Sequence, residues 1–377
     1  MIDIGDHAVT LAAELVGINS VNPGLVPGAA GERQIVEHLA GRLERAGFTV
    51  TVVPDAGHGD RLSLVAVPQS APADGQRTII LNGHLDTVGV NGMPEPFAAR
   101  IEDHRLLGRG AADMKGGVAG LVVAAERLVA SGAPVRPVLA LVADEEDDSL
   151  GSQAVIDALP DLGVHPDACL IAEPTDLALA RSLRGFALIQ VRFAGRAAHS
   201  SQPGLGVNAV THLGRFIVAV DARAPLTRAT GGDLMVSVAR GGDSPFVVPA
   251  HAECTVERRL APGHAAAAAL EEVRVLLPVE SEATIELLAH REPWRLDRNG
   301  PAADLAAHLG AALGTGPTFD APYWMEAPLW QAICPTVVCG PSGGGLHAID
   351  EWLELRQLRG FARALVTALG LWSSDAD

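Results

Sequence analysis

Short apolar runs alternate with helical patterns through the first 179 residues of this 377-residue chain, and this alternation constrains the fold most. Residues 35–48 and 117–132 carry apolar side chains at helical spacing, and the second pattern ends at Gly132. The runs RTIILNG (77–83) and PVLALVA (137–143) are mostly apolar, as in buried strands. Buried strands that alternate with helices predict an α/β domain with a mostly parallel central sheet.

The pattern changes from about Arg181. FALIQVRFAG (186–195) and CTVERRLAPG (254–263) alternate between apolar and polar residues, as half-exposed strands do, and helical patterns follow each of them. Near Glu292 the first pattern returns, with a buried strand and a final amphipathic helix. We therefore expect a smaller α+β domain inserted into the α/β domain. The expected bounds are 181–290 for the insertion, and 1–180 with 291–377 for the α/β domain.

The composition limits the partners and the location of the chain. With 45 acidic and 28 basic residues its formal net charge is −17, so nucleic acid or an anionic membrane surface would be repelled. No apolar run approaches the ~20 residues that span a bilayer. The N-terminal segment carries acids where a secretory signal needs bases. The four cysteines form no CxxC pair, which argues against a disulfide framework. We expect a cytoplasmic protein that binds neither nucleic acid nor membrane.

Polar side chains follow several predicted strands and a Gly-rich turn. They are, in chain order, His84, Asp86, Asp113, the five consecutive acids at 144–148, Glu173 and His347. Ligand sites of open parallel sheets lie at the carboxyl ends of the strands, so these side chains are candidates for one site. Taken alone, each has another interpretation, either as a surface histidine beside an acid or as a solvated acidic turn.

The candidate ligands are imidazoles and carboxylates without a thiolate. That set suits a hydrolytic site for Zn²⁺, or for Co²⁺ or Mn²⁺, better than a structural zinc site. Two ions about 3.5–4 Å apart need one shared carboxylate and about two further protein ligands each. Asp113 could be shared, and the other ligands would be His84, Glu146, Glu173 and His347. Glu145 then remains as a general base. The Gly-rich turn lacks the GxxxxGK spacing of a phosphate-binding loop.

Six short motifs occur in the order GHLDTV, GRGAADMKGG, DEE, EPT, AAHSSQPGLGVNA and GPSGGGLHAIDE. Together they resemble the co-catalytic zinc hydrolase family, which includes acetylornithine deacetylase, succinyl-diaminopimelate desuccinylase, aminoacylase and the carboxypeptidase G type enzymes. The resemblance covers nearly the whole chain and is closest to acetylornithine deacetylase. It implies a zinc-peptidase-like catalytic domain that holds two divalent metal ions per chain, with Zn²⁺ as the expected metal and Co²⁺ or Mn²⁺ as alternatives.

The resemblance also implies a role for each candidate. One ion is held by His84 and Glu173, the other by Glu146 and His347, and both by Asp113. Glu145 is the base. Asp86 supports His84 without binding metal itself. The attacking species in this family is a hydroxide that bridges the ions. The acidic run is then explained, because two divalent cations favour clustered carboxylates. For Asp147 and Asp148 the solvated-turn interpretation stands.

In this family the middle domain is a lid and a dimer interface, so the resemblance implies a homodimer. His199 would reach the active site of the partner subunit and polarise the scissile carbonyl; the alternative is a capped loop ahead of a helix at Asn208. Arg259, in ERRLAPG, corresponds to the arginine that binds the substrate carboxylate, unless it is an ordinary strand-surface charge. The backbone of GPSGGG, with Gly343 and Gly344, would bind the same carboxylate, unless the segment is a flexible turn.

The implied activity is a metal-dependent amidohydrolase that removes an acyl group, expected to be acetyl, from an N-acyl-amino acid with a free carboxylate. This implies a role in amino-acid metabolism, namely arginine biosynthesis. YWMEAPLW resembles the TEAP segment of acetylornithine deacetylase, with Glu326 retained and Met325 in place of Thr. Phe246 replaces a polar Asn, so the pocket is expected to be less polar and its substrate need not be identical.

Three alternative functions remain open. Within the family they are a dipeptidase or carboxypeptidase, which would take a dipeptide, and a succinyl-diaminopimelate desuccinylase. From a different class comes a non-catalytic binding or scaffold protein, and the complete set of ligands argues against it.

Overall fold

The computed structural model describes residues 3–55, 57, 59–73, 75–314 and 318–373. The chain forms two compact units. The first comprises Met1–Arg181, Leu296–Phe319 and Leu329–Asp377, and the second comprises Ser182–Arg295 and Asp320–Pro328. The role of the second unit as a lid and dimerisation domain stays a prediction.

The helices are α1 (Ile4–Val16), α2 (Arg33–Arg45), α3 (Gly116–Ser131), α4 (Leu150–Ala158), α5 (Ala209–Ala229), α6 (Ala266–Arg274), α7 (Pro301–Ala312), α8 (Ala327–Gln331) and α9 (Leu355–Trp372). A π-helical turn, Ala111–Lys115, precedes α3, and a 3-10 turn, Pro203–Leu205, precedes α5. In the described part of the chain, none of the helices has both the length and the apolar character needed to cross a membrane.

The strands are β1 (Phe48–Pro54), β2 (Leu62–Pro68), β3 (Arg77–His84), β4 (Arg100–Glu102), β5 (Arg105–Leu107), β6 (Val135–Val142), β7 (Ala168–Ile171), β8 (Leu179–Leu183), β9 (Gly185–Ala194), β10 (Asp233–Gly241), β11 (His251–Leu260), β12 (Glu282–Arg291), β13 (Trp294–Arg295), β14 (Thr318–Ala321), β15 (Thr336–Val338), β16 (Gly343–Gly344) and β17 (Trp352–Glu354).

A six-stranded sheet in the order β1-β2-β6-β3-β7-β15 forms the centre of the first unit. The strands β6, β3, β7 and β15 run parallel, whereas β1 and β2 pair antiparallel. The register places Ile80 of β3 beside Val138 of β6 and Cys169 of β7. The predicted α/β fold with a mostly parallel central sheet is confirmed. The central strands are buried on both faces, which explains why their sequences are mostly apolar.

The helices α1, α3 and α9 pack against one another in the core of the first unit. Small residues along α3 allow close packing: a Cβ added at Gly117 would lie 2.2 Å from the carbonyl oxygen of Ala172, the residue before Glu173. α3 ends as the sequence predicts, because Gly132 caps it with a left-handed φ of 64°.

The first unit also contains a second sheet, in the order β16-β17-β5-β4, that the sequence pattern does not reveal. Its strands are antiparallel. Each has only two or three residues, which is too few for an alternation of buried and exposed side chains to be recognised.

The second unit contains an antiparallel sheet in the order β10-β11-β9-β12. Along β9 and β11 the buried side chains alternate with more exposed ones, as predicted. The buried side chains form a core with α5 and α6. In this core the ring centroids of Phe193 and Phe216 are 5.7 Å apart. The edge strand β10 leaves most of its residues exposed and therefore lacks the alternation that marks β9 and β11.

Replacing Gly117 with Ala should lower the free energy of unfolding by about 1–3 kcal/mol, because the new methyl group overlaps the Ala172 carbonyl. The matched control is Gly360→Ala in α9, where an added Cβ meets nothing within 4 Å beyond its own helix. The control should raise the free energy of unfolding by about 0.4–1 kcal/mol. Urea unfolding followed by circular dichroism measures both, and effects of the same sign would contradict the packing described for α3.

Candidate metal centre

Three of the five candidate ligands lie at the carboxyl ends of three adjacent parallel strands. His84 is the last residue of β3, the acidic run begins just after β6 ends at Val142, and Glu173 comes just after β7 ends at Ile171. Because β6, β3 and β7 are neighbours, their carboxyl ends meet at one edge of the sheet.

The carboxylate of Asp113 lies between two imidazoles. Its Oδ1 is 3.1 Å from Nε2 of His84, and its Oδ2 is 3.2 Å from Nε2 of His347. The same nitrogen of His347 is 3.1 Å from Oε2 of Glu146. Four of the five candidate ligands are thus in direct contact, although they come from segments far apart in the sequence.

Two overlapping groups of side chains have ligand atoms close enough to hold a metal ion. One group is His84, Glu145 and Glu173, and the other is His84, Asp113 and Glu146; within each group the ligand atoms lie within 4.8 Å of one another. Glu145, which the sequence suggests as a base, therefore lies at the same site as the candidate ligands. All five candidate ligands and the candidate base converge.

The Nδ1 atom of His84 is held by a backbone oxygen rather than by the carboxylate of Asp86. Nδ1 is 3.0 Å from the backbone oxygen of Asp86, whereas the nearest carboxylate oxygen of Asp86 is 3.7 Å away. Donation of an Nδ1 hydrogen to that backbone oxygen fixes the ring with Nε2 facing Asp113, and loss of the Nε2 hydrogen would leave this nitrogen able to bind a metal ion.

The carboxylate of Asp86 instead holds the acidic run. It accepts hydrogen bonds from the backbone amides of Glu145, at 3.1 Å, and Glu146, at 3.3 Å, and from Nδ2 of Asn22, at 2.8 Å. Asp86 is completely buried. It therefore positions the two adjacent glutamates more directly than it positions the imidazole of His84.

The charges at the site favour a cation. Burial opposes protonation of His84, but the hydrogen bond to Asp113 and the charges of Glu173 and Glu145 raise its pKa well above the ordinary value. Hydrogen bonds to Asp113 and Glu146 raise the pKa of His347 to about 10. Four carboxyl groups thus surround two imidazoles, and a positive charge is stabilised wherever it lies among them.

The donors also fit a hydrolytic metal ion. They are carboxylate oxygens and imidazole nitrogens, the ligand types of catalytic Zn²⁺, Co²⁺ and Mn²⁺ sites. Oε1 of Glu146 is buried and, among the described residues, has no hydrogen-bond partner. A buried carboxylate oxygen without a donor is costly, and coordination of a cation would satisfy it. Burial and the charge of Asp113 raise the pKa of Glu146 although the contact with His347 lowers it, so the imidazole offsets only part of the cost of burying this acid.

A buried ion-pair network beside the site was missed by reasoning from sequence. Asp144, the first acid of the run, accepts hydrogen bonds from Arg61, at 2.6 Å, and Asn22, at 3.0 Å. Arg61 also pairs with Glu32, and all four side chains are buried. No short motif links these positions, so only the fold could reveal them. Asp148, in contrast, is exposed, as the solvated-turn interpretation expects.

Three other candidate residues lie in the second unit. His199 is exposed, with Nδ1 2.9 Å from Oγ of Ser201. Arg259, in β11, pairs through Nε with Glu257 at 2.5 Å and lies over the ring of Phe186. Glu326 is almost completely buried. Their contributions to a substrate site stay predictions.

The remaining candidates, Gly343 and Gly344, form β16 and pair with Leu353 and Trp352 of β17. A Cβ at Gly343 would lie 1.9 Å from the carbonyl oxygen of Trp352, so this segment is a packed strand and not a flexible turn. Asn208 does cap α5, since its side chain accepts a hydrogen bond from the amide of Thr211 at 3.1 Å.

Two residues depart from the family pattern and differ in environment. Phe246 is 71% exposed, whereas Met325 is buried. Their effect on the polarity of a substrate pocket stays a prediction.

Comparison with known proteins finds matches that extend along most of the chain. A family model described as peptidase family M20/M25/M40 matches residues 80–370. The acetylornithine deacetylase of Salmonella arizonae is 29% identical over 358 residues, which cover 88% of this chain and 89% of that protein.

Solved structures share the fold at low sequence identity. Aminopeptidase PepT from Bacillus cereus aligns with a TM-score of 0.79 and 19% identity, over 98% of both chains. The YXEP protein of Bacillus subtilis, described as a dinuclear metal binding peptidase, aligns with a TM-score of 0.74 and 13% identity, over 98% of this chain and 99% of that one.

Replacing Glu146 with Gln should weaken binding of Zn²⁺ or Co²⁺ by more than about tenfold, because it removes a charged oxygen that faces His347. The matched control is Asp148→Asn, an exposed position in the same acidic run, and it should leave binding unchanged. Elemental analysis after equilibration with limiting metal measures both. Equal metal content in the two variants would show that the acidic run holds no ion.

Proposed function

Because this chain belongs to peptidase family M20/M25/M40, and is therefore a metal-dependent hydrolase, we propose that it removes an acetyl group from an N-acetyl-amino acid with a free carboxylate. The family resemblance drawn from the motifs is confirmed by this membership. The products are a free amine and a carboxylate. The observation that carries the proposal is the contact of one carboxylate, that of Asp113, with both His84 and His347.

The ligands divide into two sets around Asp113. His84 and Glu173 would hold one ion and Glu146 and His347 the other, with Asp113 as the shared ligand. We assign Zn²⁺ to both positions, with Co²⁺ or Mn²⁺ as alternatives, because these ions accept imidazole and carboxylate together. Such a pair of ions polarises a carbonyl oxygen and lowers the pKa of bound water.

Glu145 handles the proton. Its carboxylate lies within ligand distance of His84 and Glu173, and Asp86 holds its backbone amide. Glu145 accepts a proton from the attacking water and gives it to the departing amine nitrogen. The backbone amides of both glutamates donate to Asp86, and these two hydrogen bonds fix the backbone of the pair. The adjacent side chains can then have different roles: Glu146 binds metal, and Glu145 transfers the proton.

Arg259, in the second unit, supplies recognition of the substrate carboxylate. A planar guanidinium binds a carboxylate through two parallel hydrogen bonds, and Glu257 with the ring of Phe186 orients that of Arg259. We propose that the backbone at Gly343 and Gly344 contacts the same carboxylate. His199 of one subunit polarises the scissile carbonyl oxygen in the partner, and Glu326 contributes to the pocket.

A homodimer is part of the proposal. Within the described part of the chain no strand pairs with the outer edge of β10, and Met235 and Val238 on this strand are half-exposed. Between β10 and α5 lies a groove of about 380 Å³ that includes Val218, whose side chain is 69% exposed. An exposed apolar groove beside an open strand edge favours association with a second copy of the chain.

The acetyl substrate is supported by the likeness to acetylornithine deacetylase, whose printed name gives that activity. A cytoplasmic location and a role in arginine biosynthesis belong to the same proposal. The second candidate is a dipeptidase or carboxypeptidase, because the same proton transfer cleaves a peptide bond. Enzymes that cleave peptide bonds, such as aminopeptidase PepT, share the fold. Phe246 and Met325, where relatives carry polar residues, favour a less polar side chain than that of ornithine.

A substrate panel tests the proposal. Protein supplied with Zn²⁺ or Co²⁺ should hydrolyse N-acetyl-amino acids faster than succinyl-diaminopimelate or dipeptides. Glu145→Gln should lower kcat about 10²–10⁴-fold with bound metal nearly unchanged, while Asp148→Asn should leave kcat unchanged. Faster cleavage of dipeptides would establish the peptidase alternative. A fully metal-loaded protein that cleaves none of the substrates would contradict the proposed activity.

His199→Ala should lower kcat about 10²–10³-fold, since it removes a donor to the carbonyl oxygen. Mixing this variant with Asp113→Ala should restore about a quarter of the wild-type rate if subunits exchange at random, because half of the dimers would be hybrids with one intact pocket each. The rate is measured before and after subunit exchange. If mixing restores nothing, His199 does not act across a dimer.

A further inference from the structure

The buried carboxylate of Glu351 accepts four hydrogen bonds from a single turn of the chain. Oε2 accepts from Nη1 of Arg109 at 2.6 Å and from the amide of Gly110 at 3.1 Å. Oε1 accepts from the amides of Ala112, at 3.0 Å, and Asp113, at 3.2 Å. An ionised carboxylate carries only acceptor sites, so it matches these four donors in a way that an amide of the same shape cannot.

Arg109 extends this contact to the segment that carries His347. The guanidinium is buried, and its Nη2 donates to the backbone oxygen of Ala348 at 2.9 Å. Arg109 and Glu351 are 242 positions apart in the sequence. Their pairing therefore connects the turn that supplies Asp113 with the segment that supplies His347.

The geometry of both candidate ligands depends on this connection. Asp113 has a non-helical backbone (φ −120°, ψ 94°) inside the π-helical turn, and its amide donates to Glu351. His347 has a half-exposed side chain and a positive φ of 61°, so burial alone does not fix its ring. The Asp113–His347 contact of 3.2 Å joins two segments that the Arg109–Glu351 pair holds together.

We propose that Glu351, together with Arg109, is a positioning residue that holds Asp113 and His347 at the separation needed to share a pair of metal ions. The inference rests on the proposed function, because it assigns the task of aligning the metal ligands of that site. Neither residue is assigned a contact with the substrate.

Titration of the full-length protein with Co²⁺ tests the proposal. Glu351→Gln should bind Co²⁺ about 10–100-fold more weakly than the wild-type protein, with an altered visible absorption spectrum, since loss of a group that orients metal ligands has effects of this size. Arg109→Lys should show a smaller loss, because a single ammonium cannot reach both Glu351 and the Ala348 carbonyl as the guanidinium fork does. If Glu351→Gln does not fold, the titration of Arg109→Lys decides.

The matched control is Glu272→Gln in the second unit. Glu272 is also mostly buried and accepts hydrogen bonds from Arg223, Thr227 and Arg258. Both Gln variants should lower the unfolding temperature, but only Glu351→Gln should change the Co²⁺ affinity and spectrum. A Co²⁺ titration of Glu351→Gln that superimposes on the wild-type curve overturns the inference.

The outcome separates this inference from the proposed function. A wild-type protein that binds Co²⁺ but cleaves none of the substrates contradicts the function and leaves the positioning role supported if Glu351→Gln weakens binding. A wild-type protein that cleaves N-acetyl-amino acids, with a Glu351→Gln variant identical in Co²⁺ binding, supports the function and overturns the positioning role. A wild-type protein that takes up no Co²⁺ overturns both.

Discussion

The carboxylate of Asp113, held between the imidazoles of His84 and His347, is the contact on which the site depends. These three residues come from the end of a central strand, a turn before α3 and a segment near the C-terminus. Burial would raise the pKa of Asp113, but hydrogen bonds to the two histidines lower it, so this carboxyl group is negatively charged. A fixed negative charge with one oxygen directed towards each histidine is what a shared ligand of two cations requires.

The acidic run illustrates how neighbouring carboxylates acquire different roles. Asp144 is buried in an ion pair with Arg61, and the backbone of Glu145 and Glu146 is tied to Asp86. Asp148 at the end of the run is exposed. These acids therefore differ in environment, and Glu145 and Glu146 are the two whose carboxylates lie at the site. The buried guanidinium of Arg61 compensates part of this negative charge. In our proposal, metal ions compensate the rest.

The sequence could predict the position of the site because parallel strands direct their carboxyl ends to one edge of the sheet. Such strands are followed by His84, the acidic run and Glu173, so the convergence of these side chains could be predicted from the sequence alone. The partners of Asp86 could not be predicted, because hydrogen bonds to backbone amides leave no mark on residue identity. Glu351, Arg61 and Asn22 act through contacts between distant segments, and no local spacing signals such contacts.

Some elements of the fold could be predicted from the sequence and others could not. Mostly apolar runs predict the central strands, whereas the strands β4, β5, β16 and β17 are too short to show a pattern. The edge strand β10 could not be predicted because its side chains are mostly exposed. The roles of His199, Arg259 and Glu326 follow from family resemblance alone and stay predictions.

Anomalous X-ray diffraction from crystals of the Zn²⁺-loaded protein tests the central claim most directly. The account predicts two zinc peaks per chain, about 3.5–4 Å apart, each coordinated by a different carboxylate oxygen of Asp113. A single peak, or two peaks of which one lies beyond reach of Asp113, would contradict it.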